Sequence, residues 1–251
     1  MATEHGNPVW YELSTPDLVG AAEFYGALLG WTMRDAGMEG FTYHLASQGE
    51  AMVAGMMEPF AGVPPNWLIY FASTNADATV AATEAAGGAV LQPAGDIPDT
   101  GRFAILADPQ GAAFGILQPL NGDMGSAFDQ QKTGHGNWHE LATTDPEAGL
   151  AFYAGLFGWQ ASTAMPMPEI GIYQLFRQAG ADIGGMMKSP MPDMPPYWLP
   201  YFGTDSIARA IATITEKGGT VLHGPQEVPG GAFIAMARDP QGAHFAVVGP
   251  A

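Results

Sequence analysis

The sequence predicts an α+β fold of tandem βαβββ units, which form two modules, each a curved mixed sheet of about eight strands with helices on its outer face. Three observations carry this. First, WYELSTPDLVGAAEFYGALLGW at 10–31 returns without a gap as WHELATTDPEAGLAFYAGLFGW at 138–159. Second, the repeat continues in order. AGMM at 54–57 returns as GGMM at 184–187, PPNWLIYF at 64–71 as PPYWLPYF at 195–202, Gly87-Gly88 as Gly218-Gly219, and DPQGAAF at 108–114 as DPQGAHF at 239–245. Third, within each copy the apolar pattern changes from strand period to helix period and back, twice. An offset that drifts only from 128 to 131 residues is duplication of a whole domain and far too long for a solenoid. The expected modules are 5–120 and 135–250, with the polar, Gly-containing stretch 121–134 as linker.

Each element follows from local pattern. VWYELS alternates as a strand does. Thr15-Pro16-Asp17 places a cap residue before a proline, and Asp145-Pro146 does likewise in the second copy. The helix that follows carries Leu18, Ala21, Ala22, Tyr25, Leu28 and Leu29 at helical spacing, with Gly30 as a left-handed stop. Three strand-like runs near 31–35, 41–46 and 51–57 come next, then a Pro-rich loop at 59–65 and the strand WLIYFAS. A second helix at about 76–86 ends at Gly87-Gly88, and three more strands end at Leu117.

Composition narrows the function. The chain has 251 residues, 47% hydrophobic and 13% charged, with eight Lys and Arg against 25 Asp and Glu, for a net charge of −17. Such a surface repels phosphate backbones and anionic lipids, so neither nucleic acid nor a membrane is expected as partner. No apolar run approaches a membrane span, and the start MATEHGNPVW has neither basic flank nor apolar segment of a signal peptide; a cytoplasmic location is the expectation. Without cysteine there is no disulfide, thiolate nucleophile or cysteine zinc site.

The order of strand, TxDxxxAxxFYxxLxGW helix, three strands, Pro-rich loop, WLxYF strand, Gly-Gly and DPQGxxF strand resembles the vicinal oxygen chelate superfamily. This group contains glyoxalases, bleomycin-resistance proteins and extradiol dioxygenases. The resemblance covers nearly the whole chain, once per module, and is nearest to the two-module glyoxalase-like, hydroxylase-like branch. It implies a divalent metal held by His, Gln or Glu at three strand positions. Those positions hold Trp10, Leu68 and Gly115 in the first copy and Trp138, Leu199 and Ala246 in the second. None of these side chains ligates a hard or borderline cation. The expectation is therefore a protein with no metal and no cofactor, like the bleomycin-resistance proteins.

Strand alternation then sets the cavity lining. Trp10, Glu12 and Ser14 share the concave face in the first copy, and Trp138, Glu140 and Ala142 in the second. Tyr70 accompanies Leu68, Tyr201 accompanies Leu199, and His244 accompanies Ala246. This aromatic and apolar lining, with one acid per copy, suits a flat ligand bearing a few polar handles. His139 falls on the helix side as a core histidine, and the Met-rich segments 52–57 and 186–194 read as turns with soft packing. Three functions follow. One is a binder of a small aromatic or cationic molecule. Another is a metal-independent isomerase, lyase or cyclase using Glu12 or Glu140 as general base. The third is a metal-dependent lyase or dioxygenase with displaced ligands drawn from Glu12, Glu140, His244 and His139. The two modules form an intramolecular pseudo-dimer, with a higher oligomer left open.

Overall fold

The structure, a computed structural model, describes residues 5–38, 40–120, 122, 125–168, 171–191 and 193–251. Among these, sixteen strands and four helices run in the expected order. The first copy comprises β1 (Pro8–Ser14), α1 (Leu18–Leu29), β2 (Thr32–Asp35), β3 (Tyr43–Gln48), β4 (Ala51–Met57), β5 (Asn66–Ala72), α2 (Ala76–Ala85), β6 (Ala89–Ile97), β7 (Gly101–Ala107) and β8 (Ala113–Pro119). The second comprises β9 (Gly136–Thr143), α3 (Pro146–Phe157), β10 (Gln160–Met167), β11 (Gly171–Gln178), β12 (Ala181–Lys188), β13 (Tyr197–Gly203), α4 (Ile207–Glu216), β14 (Thr220–Glu227), β15 (Phe233–Arg238) and β16 (His244–Gly249).

Each copy builds one eight-stranded mixed sheet. The orders are β2-β3-β4-β1-β5-β8-β7-β6 and β10-β11-β12-β9-β13-β16-β15-β14. β1 lies parallel to β4 and β5 parallel to β8, while the outer ladders are antiparallel. The second sheet repeats this pattern. Of the Met-rich segments expected as turns, 52–57 lies wholly in β4, while only 186–188 of the second lie in β12 and a turn follows, with the Met194 amide on the Met191 carbonyl; Met56 and Met186 are fully buried. Residue 192 of the second segment lies outside the described residues.

Local chemistry explains the helix limits. The first cap is Asp17 rather than Thr15: its carboxylate accepts the Gly20 amide at 2.9 Å, and Asp145 accepts the Ala148 amide at 3.0 Å in the second copy. Pro16 stands before the cap instead of inside the helix, whereas Pro146 occupies the first turn. Gly30 and Gly158 stop α1 and α3 at φ of 74° and 75°. The core face of α1 is Ala21, Phe24, Tyr25 and Leu29, so Phe24 belongs to it and Leu28 sits at its margin.

Compactness follows a different division from the repeat. One unit contains Met1–Val9, Ile69–Met124 and His139–Trp198; the other contains Trp10–Leu68, Gly125–Trp138 and Leu199–Ala251. Each unit thus takes half of either copy, and the repeated motifs meet reciprocally inside it. In the second unit, Tyr25 of α1 donates to Asp239 of the DPQG turn at 3.0 Å, and Trp67 donates to the same hydroxyl at 2.9 Å. The other oxygen of Asp239 accepts the amides of Gln241, Gly242 and Ala243. In the first unit Tyr153 of α3 donates to Asp108 at 3.2 Å, Trp198 donates to Tyr153 at 3.0 Å, and Asp108 accepts the amides of Gln110 and Ala112.

The tryptophan closing each helix motif crosses in the same way. Trp31 donates to the Gly134 carbonyl at 2.7 Å, and Trp159 donates to the Gly6 carbonyl at 2.9 Å. Gly6 and Gly134 have positive φ, and a Cβ on either would strike the end of the helix it meets, at Phe157 and Leu29. Phe202 packs against Trp31 and Trp67 in one unit, and Phe71 against Trp159 and Trp198 in the other. The stretch expected as a linker takes part: Ala127 is buried and the Gly134 amide bonds the Gly203 carbonyl. Residues 121, 123 and 124 of that stretch lie outside the described residues.

Removing one hydroxyl from this arrangement should be costly, because it strips a donor from a buried carboxyl. Tyr25→Phe or Tyr153→Phe should each lower unfolding free energy by about 1–3 kcal/mol, measured by urea denaturation. Burial raises the carboxyl pKa of Asp108 and Asp239 above the ordinary 3.8, while their amide and tyrosine donors pull the other way. With a folded value above the unfolded one, the stabilisation from these acids is complete below 3.8 and lost as pH rises through the folded value. Acidification from neutral pH should therefore stabilise the natural chain relative to the Asp108→Asn/Asp239→Asn variant, as read from denaturation midpoints at each pH.

Candidate functional site on the open sheet faces

Alternation along β1 separates two faces. Tyr11 and Leu13 are fully buried, while Trp10, Glu12 and Ser14 are half-buried on the other side. In β9, His139 and Leu141 are buried, and Trp138, Glu140 and Ala142 share the opposite face. Trp67 points to Tyr25 and Trp198 to Tyr153, both on helices, so Asn66, Leu68 and Tyr70 of β5, and Tyr197, Leu199 and Tyr201 of β13, occupy the face away from them. Phe245 packs on Phe24 and Tyr25, which leaves His244 and Ala246 on that open face of β16.

The expected lining is redistributed by the compact units. Trp10, Glu12, Leu68, Trp138, Leu199, Tyr201 and His244 belong to one unit, and Tyr70 and Glu140 to the other. Leu68, Tyr70, Leu199 and Tyr201 are all buried, so packing accounts for most of their surface. The half-buried members are Trp10, Glu12, Trp138 and His244.

Around Glu12 the structure adds a residue that the sequence reading missed. Trp10 donates its indole N–H to the Tyr43 hydroxyl at 3.0 Å, and that hydroxyl donates to Glu12 Oε2 at 2.8 Å. Glu12 lies opposite Gly55 in the parallel β1–β4 ladder, and Tyr43 reaches it from β3 by lying across Gly55. A Cβ at Gly55 would fall 1.9 Å from the Tyr43 oxygen, so only glycine leaves room for the ring. Burial foremost, and then the charge of Glu12, holds the Tyr43 phenol well above its usual pKa. The phenol is therefore neutral and offers its proton to a carboxylate acceptor.

The second copy repeats the scaffold. Glu140 pairs with Gly185, and the Tyr173 ring lies across Gly185, 2.3 Å from where a Cβ would stand. Glu140 is only 4% exposed. Tyr197 lies in its field: burial first, then the Glu140 charge, raises the Tyr197 pKa. A signal was present in the sequence, since Tyr43 recurs as Tyr173 and Gly55 as Gly185, but nothing in one sequence separates a ring that reaches a carboxylate from one that packs.

The histidines divide. His139 is fully buried, its Nδ1 lies 2.7 Å from the Ile183 carbonyl, and burial depresses its pKa to about 4, so it is a neutral core group. His244 has a lowered pKa, from burial first and then Arg238, with Asp239 opposing. A groove of about 200 Å³ lies elsewhere, lined by His5, Thr74, Asn75 and Leu156 among others. Both ring nitrogens of His5 are engaged there, with the Leu156 carbonyl and the Thr74 amide.

The metal set implied by the resemblance does not fit these residues. Five of its six positions present only carbon side chains or an indole. At the sixth, Gly115, a Cβ would meet the Tyr70 ring at 2.2 Å, so that ring fills the space a ligand side chain would need. Among the described residues, no group of three or more His, Asp or Glu side chains could hold a metal ion. Among the described residues no helix is long and apolar enough to cross a membrane.

Comparison with known proteins places this arrangement. A family model described as the Glyoxalase/Bleomycin resistance protein/Dioxygenase superfamily matches residues 8–116 and again 135–247. The chain is 37% identical, over 98% of its length and 95% of the relative's, to a Mycobacterium tuberculosis protein named "Putative glyoxylase CFP32". It is 30% identical to the "Anthracycline biosynthesis protein DnrV" of Streptomyces peucetius, over 97% of this chain and 93% of that one. Among solved structures it resembles the Mn(II)-bound glyoxalase of Novosphingobium aromaticivorans, with a TM-score of 0.71 at 15% identity, covering 98% of this chain and 83% of that one. The 2,3-dioxygenase LapB of Pseudomonas sp. KL28 superposes with a TM-score of 0.68 at 14% identity, covering 99% and 93%. At that identity these two structures speak to fold alone. With its family pattern matched once in each copy, the chain belongs to the glyoxalase/bleomycin resistance protein/dioxygenase superfamily.

Proposed function

We propose that the protein binds a small aromatic or cationic organic molecule on the open face of its sheet, without the metal set of the superfamily's enzymes, and that Trp10, Tyr43 and Glu12 anchor it. The observation that supports this most is the hydrogen-bonded chain from Trp10 through Tyr43 to Glu12, which places an indole, a phenol and a carboxylate side by side on a half-buried surface. Aromatic faces hold a flat ligand and the carboxylate orients its polar group. A net charge of −17 favours a cation over an anion in the same position. The relatives named as a glyoxylase and as a biosynthesis protein are in keeping with a small organic ligand.

A second reading is favoured by one feature. A neutral phenol donating to a carboxylate is an acid beside a base, the pair that a metal-independent isomerase, lyase or cyclase would use. Glu12 would accept a proton from carbon beside a bound carbonyl, and Tyr43 would hold the carboxylate in place. Buried Glu140, with the Tyr173 ring across Gly185, repeats these residue types in the second copy.

Tryptophan fluorescence titrated with a panel of aromatic amines, alcohols and carbonyl compounds tests the binding. A true ligand should quench emission, and Trp10→Ala should weaken its affinity by about tenfold or more while circular dichroism stays unchanged. An unchanged affinity would reduce Trp10 to a packing residue. Gly55→Ala should push Tyr43 away from Glu12, weakening the same ligand and lowering stability by about 1–3 kcal/mol, as read from a denaturant midpoint. If the bound compound is converted, Glu12→Gln should abolish turnover and leave binding nearly intact; loss of binding without any turnover in the natural protein assigns the acid to anchoring.

A further inference from the structure

The two copies share Tyr, Gly and Glu in this scaffold but differ at two neighbouring positions. Where the second copy has Tyr197, the first has Asn66; where the second has Gly171, the first has Phe41. Asn66 begins β5 on the same face as Leu68. β1 and β5 are neighbours in the sheet, and the bonds Gly6 N–H to Ala72 and Ala72 N–H to Asn7 set the start of β1 beside the end of β5. The strands therefore run in opposite directions, which brings Glu12, near the end of β1, level with Asn66 at the start of β5. The second copy agrees, since Tyr197 stands in the field of Glu140.

Among the described residues Asn66 Oδ1 is buried with no hydrogen-bond partner. A buried amide oxygen without a donor is a place for a donor to arrive. On the Tyr43 side of the patch, Phe41 is 47% exposed, with its ring edge-on to Tyr43 at 6.1 Å between centroids. One patch thus combines an acceptor that lacks a donor, a carboxylate and three aromatic rings, from Trp10, Phe41 and Tyr43. What satisfies all of these together is a positively charged N–H group attached to a ring. The ammonium donates to the amide oxygen and is attracted by Glu12, and the rings hold both the cation and its aromatic body. A neutral hydroxyl could donate once but would gain nothing from the carboxylate charge or the ring faces.

Resting on the binding role argued above, we propose that the first copy carries a site for an aromatic ammonium ion, built from Asn66, Glu12, Trp10, Tyr43 and Phe41, and that the second copy has no such site. In the second copy a phenol stands in place of the amide, and Gly171, at φ +90°, stands in place of the Phe41 ring. One ligand should bind per chain.

Isothermal titration of the whole protein with 2-phenylethylammonium and with neutral 2-phenylethanol tests this. The expected result is one ammonium ion per chain, held about tenfold or more tighter than the alcohol. Asn66→Tyr, which installs the residue the second copy already accommodates, should abolish the preference. Asn66→Leu, which keeps the volume but cannot accept, should weaken the ammonium about fivefold or more and the alcohol by less, so that the preference narrows; circular dichroism checks the fold of both variants. Equal affinities that both fall in Trp10→Ala would leave the aromatic binding role standing and overturn the ammonium site. Two ions per chain, or an Asn66→Leu variant with unchanged preference, would also overturn it. Binding of neither probe would overturn it too, and the fluorescence panel would decide the broader role separately.

Discussion

The architecture depends on a buried carboxylate fed from two directions. Asp239 gathers three amides of its own turn on one oxygen and a tyrosine from the other copy on the second; Asp108 does the same with two amides. The turn alone would leave a desolvated oxygen without a donor, and the helix alone would leave a desolvated phenol. Each is an incomplete hydrogen-bonding set that its counterpart completes. Trp67 and Trp198, bonded to the same phenols, then fix the strands that carry the open face. Position on that face is thus tied to the aromatic core beneath it, because Asn66 and Tyr197 are the residues directly before those two tryptophans.

The duplication explains why polar groups can be buried so deeply in a chain with few cations. Tyr, Trp and Asp neutralise one another's hydrogen-bonding needs without a full ion pair, and the ring contacts around them, such as Phe245 on Tyr25 and Phe114 on Tyr153, exclude water. Such a core tolerates little slack. Glycines at positions 55, 136 and 185 each yield their side-chain space to a tyrosine ring. Tight packing of backbone against ring is what carries Tyr43 and Tyr173 across a strand to the carboxylate side.

Much of the fold was legible in the sequence, because helix and strand periods are properties of one chain read locally. The duplicated order gave strand and helix sequence nearly to the residue. Even the cap misread at Thr15 was correctable within the repeat, as Asp17 aligns with Asp145 in the gapless match. What a repeat cannot reveal is which copy touches which. Two identical motifs match each other equally well whether Tyr25 meets the first DPQG turn or the second. The candidate site was legible to the extent that alternation governs it, which put Trp10 and Glu12 on one face. Tyr43 escaped because its role rests on a neighbour two strands away and on the absence of a side chain at Gly55. Asn66 escaped because an acceptor lacking a donor is visible only in three dimensions.

The crossed assignment of tyrosine and aspartate has a consequence for how such a chain could arise and change. A half-length chain folded as each copy is here would leave its clamp open, since tyrosine and aspartate of one copy serve different partners; a twin would complete it. Joining twins end to end replaces a bimolecular encounter by an intramolecular one, at an effective concentration of about millimolar for a short flexible connection. That removes any dependence on protein abundance, and it also removes the obligation of symmetry. In a homodimer every substitution appears twice, so a change that opens a pocket on one side opens it on both. In the fused chain, Asn66 and Tyr197 are free to differ while the shared clamp keeps both halves folded. A fused chain can therefore keep one half unchanged as scaffold while the other varies.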